Sequence, residues 1–196
     1  MKKNIIFFDV ETNGKVGSAV LSISAIKVSY DFENDSWEKV SEYDRFYFRN
    51  EGESIDFGAI NVNGLTDEVI HQKRSGVQYA LTFKEDIESF YAYCSDTRHF
   101  VAHNIKFDRS FVPFTLHNQF DTMMTNIEIV QAGINPTYGT FKWPKLMECA
   151  KFYNIPIDEE SLHESLYDFL VTFRVFYKMS KHPLGKPKIM SFLEGN

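Results

Sequence analysis

Hydrophobic positions follow two periods along this chain. Near its start, Ile5-Ile6-Phe7-Phe8 is an unbroken apolar run of the kind carried by a strand buried on both faces. Residues 20–30 and 36–48 read as long strands, paired in hairpin fashion across residues 31–35. Between the first two strands, residues 13–20 read as a turn region. Residues 51–63 read as irregular chain, and residues 66–71 as a short helix. A helical period then takes over. Thr82-x-x-Glu85 is a capping box, and Phe83, Ile87, Phe90, Tyr91 and Cys94 recur at helical spacing behind it. Residues 99–102 read as a further strand, followed by a short helix near 107–112 that Pro113 stops. Pro144 opens another helix, with Leu146, Met147, Ala150 and Tyr153 on one face. The last helix carries Leu166, Phe169, Leu170, Phe173, Phe176 and Tyr177 as one stripe, most simply a core stripe. Beyond residue 182, Pro183, Gly185 and Pro187 mark a tail. Strands first, then strand and helices in alternation, predict an α/β fold with a mixed sheet and helices on both faces.

At 196 residues the chain suits a single domain with a real core, here expected over residues 1–180 with a C-terminal tail at 181–196. The net charge of −6 argues against a broad basic surface for nucleic acid. Cys94 and Cys149 are too few and too scattered for a disulfide framework or a zinc site, which points to a reducing, cytoplasmic setting. Lys2 and Lys3 precede an apolar run, but Asp9 ends it too early for a signal peptide. No apolar segment is long enough to span a membrane.

Chemistry enters where the first strand ends. Asp9 and Glu11 stand two positions apart, so an extended chain points both to one side of the sheet. Like charges that close repel, and burial worsens the repulsion, so a proton or a cation must sit between them. Hard divalent ions such as Mg²⁺ or Mn²⁺ suit an all-carboxylate site. Asp-x-Glu at a strand end is common by itself, but two further acidic motifs follow. His103-Asn104-Ile105-Lys106-Phe107-Asp108 comes after the strand at 99–102, and His163-Glu164-Ser165-Leu166-Tyr167-Asp168 opens the last helix. On an ideal helix His163 and Asp168 would lie about 140° apart. His163 is therefore expected in the first turn or the loop before it, with Ser161-x-x-Glu164 as a capping box that starts the helix.

Asp-x-Glu, then Asp, then His-x(4)-Asp, in that order, resembles the DEDDh (DnaQ-like) family of 3′–5′ exonucleases. Phe8-Asp9-Val10-Glu11-Thr12, the His103–Asp108 segment and the His163–Asp168 segment are similar to its three motifs. Phe120-Asp121-Thr122-Met123 and Asn63-Gly64-Leu65-Thr66-Asp67-Glu68 also look like family segments. The resemblance runs from about residue 4 to about residue 178. It implies a ribonuclease-H-like fold, a mixed five-stranded sheet flanked by helices. It further implies a metal-dependent 3′–5′ exonuclease that hydrolyses nucleic acid from a free, single-stranded or frayed 3′ end to nucleoside 5′-monophosphates. Asp9, Glu11, Asp108 and Asp168 would hold two divalent ions, Mg²⁺ or Mn²⁺, and His163 would be the general base. Val10 and Thr12 would contact the terminal nucleotide, Leu65 would wedge against its base, and Asn104 would support the site.

Asp-x-Glu-Thr-x-Gly is more similar to the proofreading epsilon subunits of bacterial DNA polymerase III and the TREX-type enzymes than to oligoribonucleases. That favours DNA over RNA and makes DNA polymerase subunits candidate partners. An RNA-trimming exoribonuclease and an idle, polymerase-associated scaffold module are the alternatives. The presence of all five family side chains weighs against the second. Other motifs fail. Gly14-Lys15 lacks the preceding glycine and following hydroxyl of a P-loop, and Tyr167 stands where a zinc protease needs its second histidine.

Overall fold

The computed structural model describes residues 2–157 and 165–195. Its centre is β1 (Lys2–Thr12), the strand whose apolar run requires cover on both faces. β2 (Val20–Asp31) lies antiparallel to it, and β3 (Ser36–Phe46) antiparallel to β2. On the other side, β4 (His99–Ala102) and β5 (Asn118–Asp121) add in parallel. The sheet order is β3-β2-β1-β4-β5, the mixed five-stranded sheet that was expected.

β1 sorts its side chains by parity. Ile5 and Phe7 face the helix α7 (Ser165–Met179), packing with Phe169, Phe173 and Phe176. Ile6, Phe8 and Val10 face the other layer, with Phe83, Phe90 and Cys94 of α3 (Phe83–Cys94). Phe7 meets Phe173 and Phe176 edge-on at 5.2 and 5.3 Å, geometry that the ring quadrupoles favour. α3 starts at the expected capping box, formed by Thr82 and Glu85.

Several elements depart from the sequence reading. The stretch taken as irregular contains α1 (Phe57–Asn63), capped by the Asp56 carboxylate on the Gly58 and Ala59 amides and ended by Gly64 at φ 68°. α1 buries none of its residues, so it carries no apolar period by which to recognise it. α2 (Asp67–Lys73) follows the short helix expected at 66–71. The helix expected near 107–112 begins earlier, as α4 (Ile105–Asp108), and continues as a 3₁₀ turn over Arg109–Phe111. β5 and α5 (Thr122–Val130) have no counterpart in the reading. α6 (Leu146–Phe152) lies where Pro144 indicated.

The tail expected after residue 180 is instead α8 (Lys186–Glu194), with Pro187 in its first turn. Ile189, Phe192 and Leu193 are buried in the same core as Phe7 and Phe176. Pro187, which read as part of a break, lies in the first turn of this helix, a position where proline lacks no needed amide hydrogen. Ile189→Ala should therefore lower the unfolding free energy by about 2–4 kcal/mol in urea melts, the usual cost of emptying a fully buried aliphatic position. A change below about 0.5 kcal/mol, typical of surface positions, would show that α8 does not belong to the core.

Candidate active site

The α7-facing stripe of β1 does not stop at Phe7. Asp9 and Glu11 continue it beyond the apolar core, and α7 brings Asp168 to meet them. Asp168 precedes Thr172, Val175 and Met179, all buried, on the inner face of α7. One oxygen from each of Asp9, Glu11 and Asp168 lies within 4.8 Å of the others. The register of β1 against β2 shifts between Glu11 and Thr12, so the strand leaves regular pairing just after the second acid.

Asp108 approaches from the other side of β1. Pairing between β1 and β4 ends at Phe7↔Val101, and beyond it the Val10 amide donates to Asp108 Oδ1 at 3.2 Å. The chain reaches Asp108 through Asn104, which sits at φ 72°. That left-handed turn is held by Asp121. Its Oδ1 accepts the Asn104 amide at 3.1 Å and the first amides of α5, Met123 and Met124, at 2.9 and 3.1 Å. One carboxylate thus ties the β4 turn to the end of β5.

Electrostatically the group is under strain. Burial pushes the Asp9 carboxyl well above the usual range, and the charges of Asp108, Glu11 and Asp168 push it further. Burial raises Glu11 to about 8, helped by Asp168 and resisted by a hydrogen bond from Asn63. Burial likewise raises Asp108 to about 8 against the stabilising Val10 amide. Every charged neighbour that moves these groups is another carboxylate. Such an all-oxygen, mutually repelling set fits a hard divalent cation and offers nothing to a soft one.

Two clefts meet at this cluster. One, of about 560 Å³, has Asp9, Glu11 and Asp168 among its lining, together with Phe107 and a wall formed by Trp143, Pro144 and Lys145. The other, of about 460 Å³, runs from Glu11 and Thr12 to Gly58, Val62 and Asn63 of α1. Glu11 and Phe107 border both. The wall of the first is fastened by His103, whose Nε2 donates to the Pro144 carbonyl at 3.0 Å while Nδ1 meets the Thr122 hydroxyl at 3.1 Å. Burial pushes this imidazole down to about 4, which keeps it neutral and suited to that bridging role.

Of the sequence candidates, Asp9, Glu11, Asp108 and Asp168 come together, and Val10 and Asn104 border the same cleft. Thr12 borders the second cleft, with its hydroxyl donating to the Gly14 carbonyl at 2.7 Å. Leu65 does not reach either cleft. It is 6% exposed and packed with Ala19, Leu21 and Ile70, while Ala59, Val62 and Phe107 are the apolar side chains that line the second cleft. His163 and the Ser161–Glu164 capping box lie outside the described residues. Sequence reasoning missed the roles of Asp121, His103 and Asn63. Asn63 donates to the Thr12 carbonyl at 3.0 Å and accepts the Leu65 amide at 3.0 Å, which pins α1 to the end of β1. Asp121 stood in a flagged segment directly before Thr122, an N-cap position that could have been recognised.

Comparison with known proteins is consistent with this geometry. The sequence matches the exonuclease family RNase_T over residues 6–176. No curated protein matches it. Among solved structures, exonuclease X in complex with 5′-overhanging duplex DNA superposes with a TM-score of 0.63 at 18% identity, covering 90% of this chain and 91% of that one. Exonuclease I of E. coli in complex with a dA13 oligonucleotide gives 0.67 at 13% identity, covering 96% of this chain but 43% of that one. The cell-death related nuclease CRN-4 gives 0.64 at 14% identity, with 91% and 64% covered. The sheet and its flanking helices are the ribonuclease-H-like arrangement of these proteins.

The raised carboxylates set a pH dependence. Between their ordinary values of 3.8 and 4.5 and about 8, the unfolded chain has released protons that the folded site retains, so rising pH destabilises the fold. His103 acts oppositely, but only between about 4 and 6.5. In EDTA the melting temperature should therefore fall from roughly pH 6.5 to pH 8. Asp9→Asn should flatten that fall and raise the midpoint at the alkaline end. A flat wild-type profile across this window would mean that the acids do not share a buried site.

Proposed function

Because the chain belongs to the RNase_T exonuclease family across residues 6–176, we propose that it is a metal-dependent 3′–5′ exonuclease acting on DNA in preference to RNA. It removes nucleoside 5′-monophosphates from a free, single-stranded or frayed 3′ end. The observation that carries this reading is the convergence of Asp9, Glu11 and Asp168 within 4.8 Å at the junction of two clefts, with Asp108 beside them. The described complexes of exonuclease X and exonuclease I, with overhanging duplex DNA and with an oligonucleotide, support a nucleic acid substrate. The preference for DNA is supported by Asp9-Val10-Glu11-Thr12-Asn13-Gly14. The same motif supports partnership with DNA polymerase subunits in proofreading. Buried free Cys94 and Cys149 support a reducing, cytoplasmic setting. Among the described residues no helix is long and apolar enough to cross a membrane.

Asp9, Glu11 and Asp168 would hold one Mg²⁺ or Mn²⁺, and Asp9 with Asp108 a second. When bound, such a pair supplies an activated water, neutralises the phosphate and stabilises the departing 3′ oxygen. The protein's own groups do the rest. The Val10 amide fixes Asp108. The Thr12 hydroxyl spends its proton on Gly14, so towards the terminal nucleotide it acts as an acceptor, suited to a 3′-hydroxyl. Asn104 faces the first cleft on the turn that Asp121 holds. Leu65 backs Asn63 from the core, and Val62 is the apolar edge available to the terminal base. His163 accepts the proton of the attacking water, a task that suits an imidazole at neutral pH.

Release of nucleotides from 5′-labelled single-stranded DNA should vanish in EDTA and return with Mg²⁺ or Mn²⁺, and matched RNA should be cut more slowly. Asp9→Ala and Asp168→Ala should each lower kcat by more than about 100-fold, beyond what loss of an outer-shell partner costs. His163→Ala should lower it by about 10²–10⁴-fold and flatten the acid limb of the pH–rate profile while metal binding persists. Shortening from the 5′ end, cuts in a circular strand, or full activity in EDTA would overturn the proposal.

A further inference from the structure

The wall formed by Trp143, Pro144 and Lys145 carries a feature that the hydrolytic chemistry does not use. Trp143 is 64% exposed at the edge of the acid-floored cleft. Among the described residues its indole stacks on no other ring, whereas Trp37 lies edge-on to Phe173 at 4.7 Å. The exposure is built on a firm support. Pro144 is buried and its carbonyl is held by His103. Lys142 donates its amide to the Gly133 carbonyl at 2.8 Å, and its ammonium meets Glu148 at 2.5 Å. The Lys145 amide donates to Glu148 Oε2 at 2.8 Å. Both neighbours of Trp143 are thus fixed, while the ring itself faces solvent beside the carboxylates.

The two clefts place this ring relative to the reaction. They join at Glu11 and Phe107, so a phosphate over the acids has one cleft on either side, each large enough for a nucleoside. The side bordered by Thr12 and Val62 takes the terminal nucleotide under the exonuclease reading, on which this inference rests. The Trp143 side is then left for the nucleotide on the other side of the scissile phosphate. Charge strengthens the case. At a net −6 the protein does not hold a polyanion through a broad cationic surface, and stacking on an aromatic face is the attraction that needs no charge.

We propose that Trp143 is the stacking platform for the base of the penultimate nucleotide, and so a substrate-binding residue that sets the requirement for a base upstream of the cut. Stacking of this kind accepts any base, because every base offers a π-face.

The test uses the full chain in two assays. In steady state, Trp143→Ala should raise KM for single-stranded DNA by about tenfold at nearly unchanged kcat, with Trp143→Phe recovering most of it. An abasic penultimate position should raise the wild-type KM by about as much, yet add nothing in Trp143→Ala. An unchanged KM, or an equal abasic penalty in both proteins, would overturn the proposal. The second assay measures indole fluorescence in EDTA on a Trp37→Phe background, with an oligothymidylate as probe. Quenching that saturates with oligonucleotide is expected, and its absence would overturn the proposal. A protein that binds and quenches but releases no nucleotide in Mg²⁺ or Mn²⁺ would remove the exonuclease reading, and with it the penultimate position, while leaving Trp143 as a base-stacking residue.

Discussion

Carboxylates crowded within 4.8 Å in buried surroundings repel one another, and the rest of this fold keeps them there against that repulsion. No local feature of β1 could do so alone. The force comes from the parity of the strand. The same side-chain stripe that ends in Asp9 and Glu11 begins with Ile5 and Phe7, which are sealed under Phe169, Phe173 and Phe176 of α7. Each fully buried aromatic or aliphatic side chain contributes about 1.5–3 kcal/mol relative to exposure. Docking of α7 is therefore driven by its apolar stripe, and Asp168 is carried into the cluster as a consequence. The acids are held by a core in which they take no part.

The polar scaffold around the cluster follows the same logic at smaller scale. Asp108 takes the Val10 amide beyond the end of β1–β4 pairing, so a ladder position becomes a site contact. Asp121 satisfies three amides at once, and in doing so sets the left-handed Asn104 turn that aims α4. His103 stays neutral through burial and joins the cleft wall to the start of α5. None of these groups needs to touch substrate to matter. Each converts flexible chain at the C-terminal ends of β1, β4 and β5 into a fixed frame, the condition for preorganised charge stabilisation.

What could be read from the sequence follows from where the signals are local. β1 and its acids were legible because four apolar residues and two carboxylates lie within eight positions. α3 and α7 were legible because long helices repeat their apolar stripe over several turns. α1 was not, since a helix that buries no residue has no stripe. α8 was misread because Pro187 signals a break unless the first-turn position is recognised, and only tertiary contact reveals Ile189 as core. Leu65 shows the same limit at the site. Its motif resembles a substrate-contacting segment, but which side of a short turn faces a cleft is decided by packing against Ala19 and Leu21, far away in sequence. The four acids were found because their chemistry is written in residue type. Trp143 was passed over because an aromatic beside Pro144 carries no sign of whether it will be buried.

The separation of the two clefts explains how one strong negative cluster can serve a negatively charged substrate. The first cleft is walled by Trp143, Pro144, Lys145, Leu146 and Met147, and the second has Lys15, Gly58, Ala59 and Val62. Apart from the two lysines, these surfaces suit bases and sugars. With cations bound between the acids, the cluster itself would attract a phosphate, with Lys145 beside it in the first cleft and Lys15 in the second, while the rest of the walls offers mainly apolar contact. A strand would then be held through its bases and by few phosphates. Such an arrangement makes binding less sensitive to salt than a basic groove would, since few phosphate contacts release few counterions. It would also make the position of the cut depend on two walls, one pinned through Asn63 and one through His103, in clefts that share Glu11 and Phe107.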